Sequence, residues 1–86
     1  MSVAEAIRGK LNRRFQPVTL DIIDDSARHH GHAGAHPGGE SHFQVHIVAA
    51  AFAGLSRVER QRLVYEALAE ELKGRVHALS VKAEAP

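Results

Sequence analysis

Apolar residues recur at every fourth position near the start of the chain: Val3, Ile7, Leu11 and Phe15. Ser2 and Glu5 have the spacing of a capping box, in which each side chain bonds the other residue's backbone amide at a helix start. A first helix is therefore predicted from this box to about Arg14. Pro17 prevents its continuation, because proline lacks the backbone N–H and clashes with the preceding turn.

A second helical period lies between Ser56 and Lys73. Ser56 and Glu59 form another capping box, so the helix is predicted to begin there. On a helical projection one face is apolar and is predicted to face the core, through Val58, Val64, Tyr65, Leu68 and Leu72. Gly74 follows at once and suits the left-handed residue that commonly closes a helix.

Three other segments alternate between apolar and polar residues, the pattern of half-buried strands. They are Val18–Asp24, His42–Ala50 and Arg75–Lys82. The first places Val18, Leu20 and Ile22 on one face. Between the first two strands, Asp25 to Glu40 contains no hydrophobic run and is predicted to be a loop.

The order helix, strand, strand, helix, strand predicts a single small α+β domain over residues 1–86. The first two strands should pair antiparallel, and the last two, joined through a helix, should run parallel with a right-handed crossover. Both helices then cover one face of a three-stranded mixed sheet. The predicted core contains Ile7, Leu11, Val45, Ile47, Val64 and Leu68. The long loop and the start of the third strand are predicted to lie at the same end of the sheet.

Composition narrows the possible functions. The chain has 86 residues, with 11 Lys and Arg against 10 Asp and Glu, too even a balance to imply non-specific attraction to nucleic acid or to an anionic membrane. It contains no cysteine, so any thiolate in a site must come from a partner. No apolar run approaches the roughly 20 residues of a membrane span, and no signal peptide is recognised, so we expect a cytoplasmic protein without membrane contact.

Histidine is the unusual component, with seven in the chain. Five of them lie close together, at His29, His30, His32, His36 and His42. Connections longer than about 12 residues are uncommon unless they are functional or disordered. Two interpretations are open: a solvated loop whose histidines have no role, or a metal site with imidazole ligands. No zinc-motif spacing is present, and His46, on a strand, is predicted to be a surface or packed residue and not a ligand.

As a set, these segments resemble the BolA-like proteins. The resemblance runs from Leu20 to Ser80, through LDIIDDSARHHGHAG, ESHFQVHIV, FAGLSRVERQRLVYEALAEEL and VHALS. It implies a fold of helix, two strands, helix and strand, similar to a class II KH domain. One departure is Gln61, flanked by Arg60 and Arg62, where the family usually has a histidine. Gln61 can donate and accept hydrogen bonds but cannot titrate.

The resemblance implies an adaptor and not an enzyme. BolA-like proteins pair with monothiol glutaredoxins that carry a Cys-Gly-Phe-Ser site, and the two can share a bridging 2Fe-2S cluster with glutathione, in cluster transfer or iron sensing. By the same resemblance the ligands of this chain are His77 and, in the loop, His32. The possible substitutes for His32 are His29, His30, His36 and His42.

A second function follows from the same resemblance. Some bacterial members resemble DNA-binding transcription regulators of stress response and cell morphology. The candidate phosphate contacts are Arg57, Arg60, Arg62, Arg13 and Arg14. Salt separates the two functions, because phosphate binding weakens steeply with salt and cluster coordination should not. The free protein is expected to be a monomer or a weak homodimer.

Overall fold

The computed structural model describes residues 2–24, 42–74 and 76–86. Its elements, in chain order, are helix α1 (Val3–Phe15), strands β1 (Thr19–Asp24) and β2 (His42–Val48), a 3-10 turn (Ala50–Phe52), helices α2 (Arg57–Ala67) and α3 (Ala69–Lys73), and strand β3 (Ala78–Glu84). The predicted α+β order is confirmed, with the second predicted helix divided at Leu68. In the ranges described, no helix is long and apolar enough to cross a membrane.

The three strands form one mixed sheet in the order β1-β2-β3. β1 pairs antiparallel with β2, and β2 pairs parallel with β3, as predicted. Asp24 stands opposite Phe43, and His42 stands opposite Ala78. The end of β1 and the starts of β2 and β3 therefore lie together, and we call this the histidine end of the sheet.

One face of the sheet packs against the helices and forms the core. The six predicted core residues are all buried, together with Phe15 of α1, Phe43 of β2, Phe52 of the turn, Ala49 and Val76. Phe15 of α1 packs on Phe52 of the turn, with ring centroids 5.0 Å apart. On the core's edge, Lys10 of α1 lies 2.8 Å from the carboxylate of Glu71 in α3. Helix α1 is thus held against the rest of the domain by apolar packing and by an ion pair to α3.

Both capping boxes form as predicted. The amide of Glu5 donates to the Ser2 hydroxyl at 3.1 Å, and the amide of Glu59 donates to the Ser56 hydroxyl at 3.2 Å. In each box the glutamate side chain also accepts from the backbone amide of the serine. The bond from Ser56 is the main cause that lowers the pKa of the Glu59 carboxyl. The sequence therefore fixes both helix starts by local hydrogen bonds.

The helix ends differ from the prediction. Gly74 has φ −100° and is not left-handed, so the predicted closure is wrong. Its amide donates to the carbonyls of Glu70 and Glu71, and the chain then turns so that buried Val76 donates to Glu71 as well. The left-handed closure occurs instead at Gln16, with φ 48°, after α1. The turn after α3 therefore forms without a left-handed residue, and Val76 enters the core directly after it.

Three apolar residues assigned to the buried faces are exposed. Val18, which the alternation placed on one face with Leu20 and Ile22, precedes β1 and is 70% exposed, although its amide donates to the Val48 carbonyl at 2.8 Å. Val58 and Tyr65 are 62% and 36% exposed. At about 100° per residue, they lie about 100 to 120° around α2 from Val64, the centre of the buried face, and hence at its margin. The apolar face predicted for this helix therefore extended too far toward Val58 and Tyr65.

Candidate functional site

His77 lies immediately before β3, at the histidine end of the sheet, and is exposed. Its neighbour Val76 is buried, and the Val76 amide donates to the Glu71 carbonyl at 3.0 Å. Two residues beyond His77, the Leu79 carbonyl accepts a bond from the Tyr65 hydroxyl at 3.1 Å. The backbone around His77 is therefore anchored on both sides while the residue itself reaches solvent.

Three side chains of α2 donate hydrogen bonds to every second carbonyl of β3. The bonds run from Tyr65 to Leu79 at 3.1 Å, from Gln61 to Val81 at 3.4 Å and from Arg60 to Ala83 at 3.3 Å. In a parallel pair, alternate residues direct their backbone groups away from the neighbouring strand, so these carbonyls are ones that β2 leaves open. We call these contacts the α2–β3 bonds.

The sequence did not reveal the α2–β3 bonds. Gln61 was singled out only because the family usually has a histidine there, and Tyr65 was assigned to the core. Their spacing of four residues, which places two polar groups on one side of a helix, was the available signal. The middle one of the three α2–β3 bonds is therefore made by Gln61, a donor that cannot titrate.

The histidines of the loop divide into two groups. His29, His30, His32 and His36 lie outside the described residues. His42 is the first residue of β2 and stands opposite Ala78. Because His77 directly precedes Ala78, the two histidines lie near each other across neighbouring strands. In residues 2–24, 42–74 and 76–86, no group of three or more His, Cys, Asp or Glu could hold a metal ion. The described part of the chain thus supplies individual imidazoles and not a complete ligand set.

His46 lies on the sheet face opposite the helices, which we call the open face. Its Nε2 is 2.9 Å from a Glu84 carboxylate oxygen, and its Nδ1 is 3.9 Å from a carboxylate oxygen of Asp21. The bond from His46 is the main cause that lowers the pKa of the Glu84 carboxyl, with a further contribution from Lys82. Because the two carboxylates face different ring nitrogens, they cannot join one nitrogen around a metal. This geometry agrees with the prediction of a surface histidine.

The five candidate arginines do not form one surface. Arg57 and Arg60 lie on the β3 side of α2, bordering the open face. Arg60 is held by bonds from Nε to the Leu55 carbonyl at 3.0 Å and from Nη1 to the Ala83 carbonyl. Arg62 lies elsewhere on α2, in a hollow that it shares with Glu59. Any phosphate contact of α2 would therefore involve one side of the helix and not all three arginines.

The two candidate arginines of α1 lie in its last turn. A guanidinium nitrogen of Arg14 is 3.6 Å from the Glu66 carboxylate of α2, and the group lies over the Phe15 ring at 5.7 Å from its centroid. Arg13 is exposed. Arg14 therefore contributes to the contact between the helices, which leaves Arg13 as the more accessible of the pair.

Comparisons with known proteins identify the relatives of the chain. The family model described as BolA-like protein matches residues 11–86. BolA-like protein 1 of Homo sapiens is 48% identical over 84 residues, which cover 98% of this chain and 58% of that protein. The DNA-binding transcriptional regulator BolA of Escherichia coli (strain K12) is 44% identical over 81 residues, which cover 94% of this chain and 73% of that protein.

A solved structure confirms the fold. The BolA domain of SufE1 from Arabidopsis thaliana superposes with a TM-score of 0.87 at 44% identity, covering 100% of this chain and 94% of that one. The likeness to a class II KH domain stays a prediction. The human and Escherichia coli relatives are not named as enzymes: the first is named by its family and the second as a transcriptional regulator. These names agree with the expectation of a non-enzymatic protein.

Proposed function

Because the chain belongs to the BolA-like family, we propose that it is an adaptor that binds a monothiol glutaredoxin and shares a bridging 2Fe-2S cluster with it. The observation that carries the proposal is the position of His77. It is exposed, its backbone is anchored, and it lies at the sheet end where β1 leads into the histidine-rich segment and β2 leads out of it. Cluster transfer or iron sensing follows as the cellular role.

The donor groups of the chain fit a shared cluster and not a cluster held alone. There is no cysteine, and the exposed His77 lies near His42 across neighbouring strands. Two imidazoles can replace two thiolates on one iron, which raises the reduction potential of the cluster. The glutaredoxin cysteine and glutathione would hold the other iron. His32 remains the proposed second ligand in this chain, with His29, His30, His36 and His42 as substitutes.

The test compares two histidine variants in a reconstituted mixture of this protein, a Cys-Gly-Phe-Ser glutaredoxin, glutathione, iron and sulfide. Visible circular dichroism follows the shared cluster, and far-ultraviolet circular dichroism follows the fold. We expect His77→Ala to abolish the spectrum of the shared cluster and to keep the fold, because His77 is exposed. His46→Ala is the matched control, because His46 bonds to Glu84 on the open face and should leave the cluster unchanged.

A wild-type spectrum from His77→Ala rules out coordination by His77, and unfolding of that variant shows that His77 supports the structure. Cluster binding by wild type should weaken as pH falls through the imidazole range, about 6 to 7 for an unperturbed group, because only neutral imidazole binds metal. His32→Ala should weaken the spectrum without abolishing it if another loop histidine replaces His32.

A second candidate function is DNA binding in transcription regulation. It is favoured by the name of the Escherichia coli relative, a DNA-binding transcriptional regulator. Arg60 and Arg14 have partners in the chain. The candidates that remain for phosphate contact are Arg57, Arg62 and Arg13, all of them exposed. Binding to duplex DNA should fall steeply between low and physiological salt, and Arg57→Ala should reduce the slope of log affinity against log salt by about one unit. A flat salt dependence would exclude this function.

A further inference from the structure

A broad trough of about 690 Å³ crosses the open face of the sheet. It begins at β1 beside Asp21 and Ile23, passes His46 on β2 and Lys82 on β3, and ends against Arg57 of α2. Neither His42 nor His77 lines it. Because the trough spans all three strands, roughly 10 Å at about 4.8 Å between neighbouring strands, an extended segment that lies in it can contact several side chains.

The acidic groups of the trough already have partners. Glu84 is bonded by His46 at 2.9 Å and lies 3.7 Å from the ammonium group of Lys82. Asp21 faces the other nitrogen of the same imidazole at 3.9 Å. The negative charge of this face is therefore concentrated around His46, from Asp21 on β1 and Glu84 on β3.

The basic groups of the trough have fewer partners of opposite charge. Arg57 pairs with no carboxylate in the parts of the chain that the structure describes. The side chain of Lys82 is 74% exposed, and the one carboxylate near it, that of Glu84, is shared with His46. Arg60 adds a guanidinium held at the same rim by backbone carbonyls. The rim formed by α2 and β3 thus carries positive charge that a ligand could neutralise.

We propose that the trough binds an extended segment of a partner protein in which acidic residues alternate with aliphatic ones. Acidic side chains would contact Arg57 and Lys82, and an aliphatic side chain would cover Ile23, which is 50% exposed. A nucleic-acid backbone fits less well, because its continuous negative charge would pass the carboxylates of Asp21 and Glu84. A peptide can keep neutral residues at those positions.

The test is fluorescence anisotropy with a labelled synthetic peptide of sequence Glu-Val-Glu-Val-Glu. We expect Arg57→Glu and Lys82→Glu each to weaken its binding by about three- to tenfold, the range for losing and reversing one exposed ion pair. Ile23→Ser should weaken it as well. The matched control is Arg62→Glu, which makes the same change of charge on the same helix but outside the trough, and it should change the affinity by less than about twofold.

Competition and comparison peptides identify the ligand class. A Lys-Val-Lys-Val-Lys peptide should not bind, and single-stranded oligothymidylate should not displace the acidic peptide. Displacement by the oligonucleotide would show a general polyanion site and overturn the proposal. Equal weakening by Arg62→Glu and Arg57→Glu would also overturn it, as would an absence of binding up to about 1 mM peptide, a very weak affinity. Far-ultraviolet circular dichroism confirms that each variant is folded.

Discussion

The pair Leu68→Ala and Val58→Ala tests where α2 faces the core. Both residues belong to the apolar stripe predicted from the sequence, yet Leu68 is 1% exposed and Val58 is 62% exposed. Removing a buried leucine side chain beyond Cβ costs about 2 to 5 kcal/mol, from lost burial and the cavity left behind. An exposed valine should cost less than about 0.5 kcal/mol. The two substitutions should therefore differ by at least about 1.5 kcal/mol.

Leu68 also stands at the division between α2 and α3, with φ −107° and ψ 19°. Its amide still donates to the Val64 and Tyr65 carbonyls, and Leu72 donates to Leu68, so the helical bonds continue through it. Alanine accepts this backbone conformation, and the loss should come from packing. A domain of this size is stable by about 4 to 13 kcal/mol, so Leu68→Ala removes a large share.

Urea unfolding followed by far-ultraviolet circular dichroism measures both variants under the same conditions. A fall in the midpoint without a change in slope would show lost stability and an unaltered denatured state. The thermal midpoint should fall by at least about 8 °C for Leu68→Ala, given about 4 °C or more for each kcal/mol in so small a domain. Equal losses for the two variants, or a loss below about 1 kcal/mol for Leu68→Ala, would refute the assigned buried face.

Two further predictions concern hydrogen bonds outside the core. Tyr65→Phe removes the bond to the Leu79 carbonyl and should cost about 0.5 to 1.5 kcal/mol, near the lower value because Tyr65 is partly exposed, with faster amide exchange at the start of β3 as a second measurement. His46→Ala removes the hydrogen bond that lowers the pKa of the Glu84 carboxyl and should therefore raise that pKa toward its ordinary value. A lowered carboxyl pKa contributes stability above the ordinary carboxyl pKa, and this stability is lost as pH falls through the lowered value. The variant should lack this contribution near neutral pH, so its stability should change less than that of wild type as pH falls through this range. Carboxyl carbon chemical shifts recorded against pH would measure this change.

Local chemistry made most of the fold predictable. The two capping boxes depend on residues three apart, and the alternation of β1, β2 and β3 depends on residues two apart. The helix between β2 and β3 then determines their parallel pairing. All of these signals lie within short stretches of the chain, which is why the sequence was sufficient to predict them.

The predictions that proved wrong concern places where one secondary-structure element contacts another. A helical projection treats α2 as isolated, whereas β3 runs beside the helix and offers open carbonyls there. Tyr65 and Gln61 meet these carbonyls with polar groups, so that side of α2 is amphipathic and not fully buried. Likewise the turn after α3 forms without a left-handed residue at Gly74, and Val76 enters the core two residues later.

The candidate site was predictable only in part. The position of His77 at the sheet end where the loop joins followed from the strand order, and the structure confirms it. The role of His77 as a ligand remains a prediction, as does the choice of His32. Arg57 and Arg62 lie about 140° apart on a helical projection, but which of them borders β3 depends on where β3 lies, and the sequence pattern does not show that.

The α2–β3 bonds have a consequence for the behaviour of the protein at high concentration. A strand at the border of a sheet offers backbone groups to strands of other molecules, and this pairing is a common start of aggregation. On β3, the carbonyls of Leu79, Val81 and Ala83 are already occupied by side chains of the same molecule. An incoming strand would have to displace three donors before it could pair. The α2–β3 bonds therefore protect this border of the sheet against pairing with a strand of another molecule.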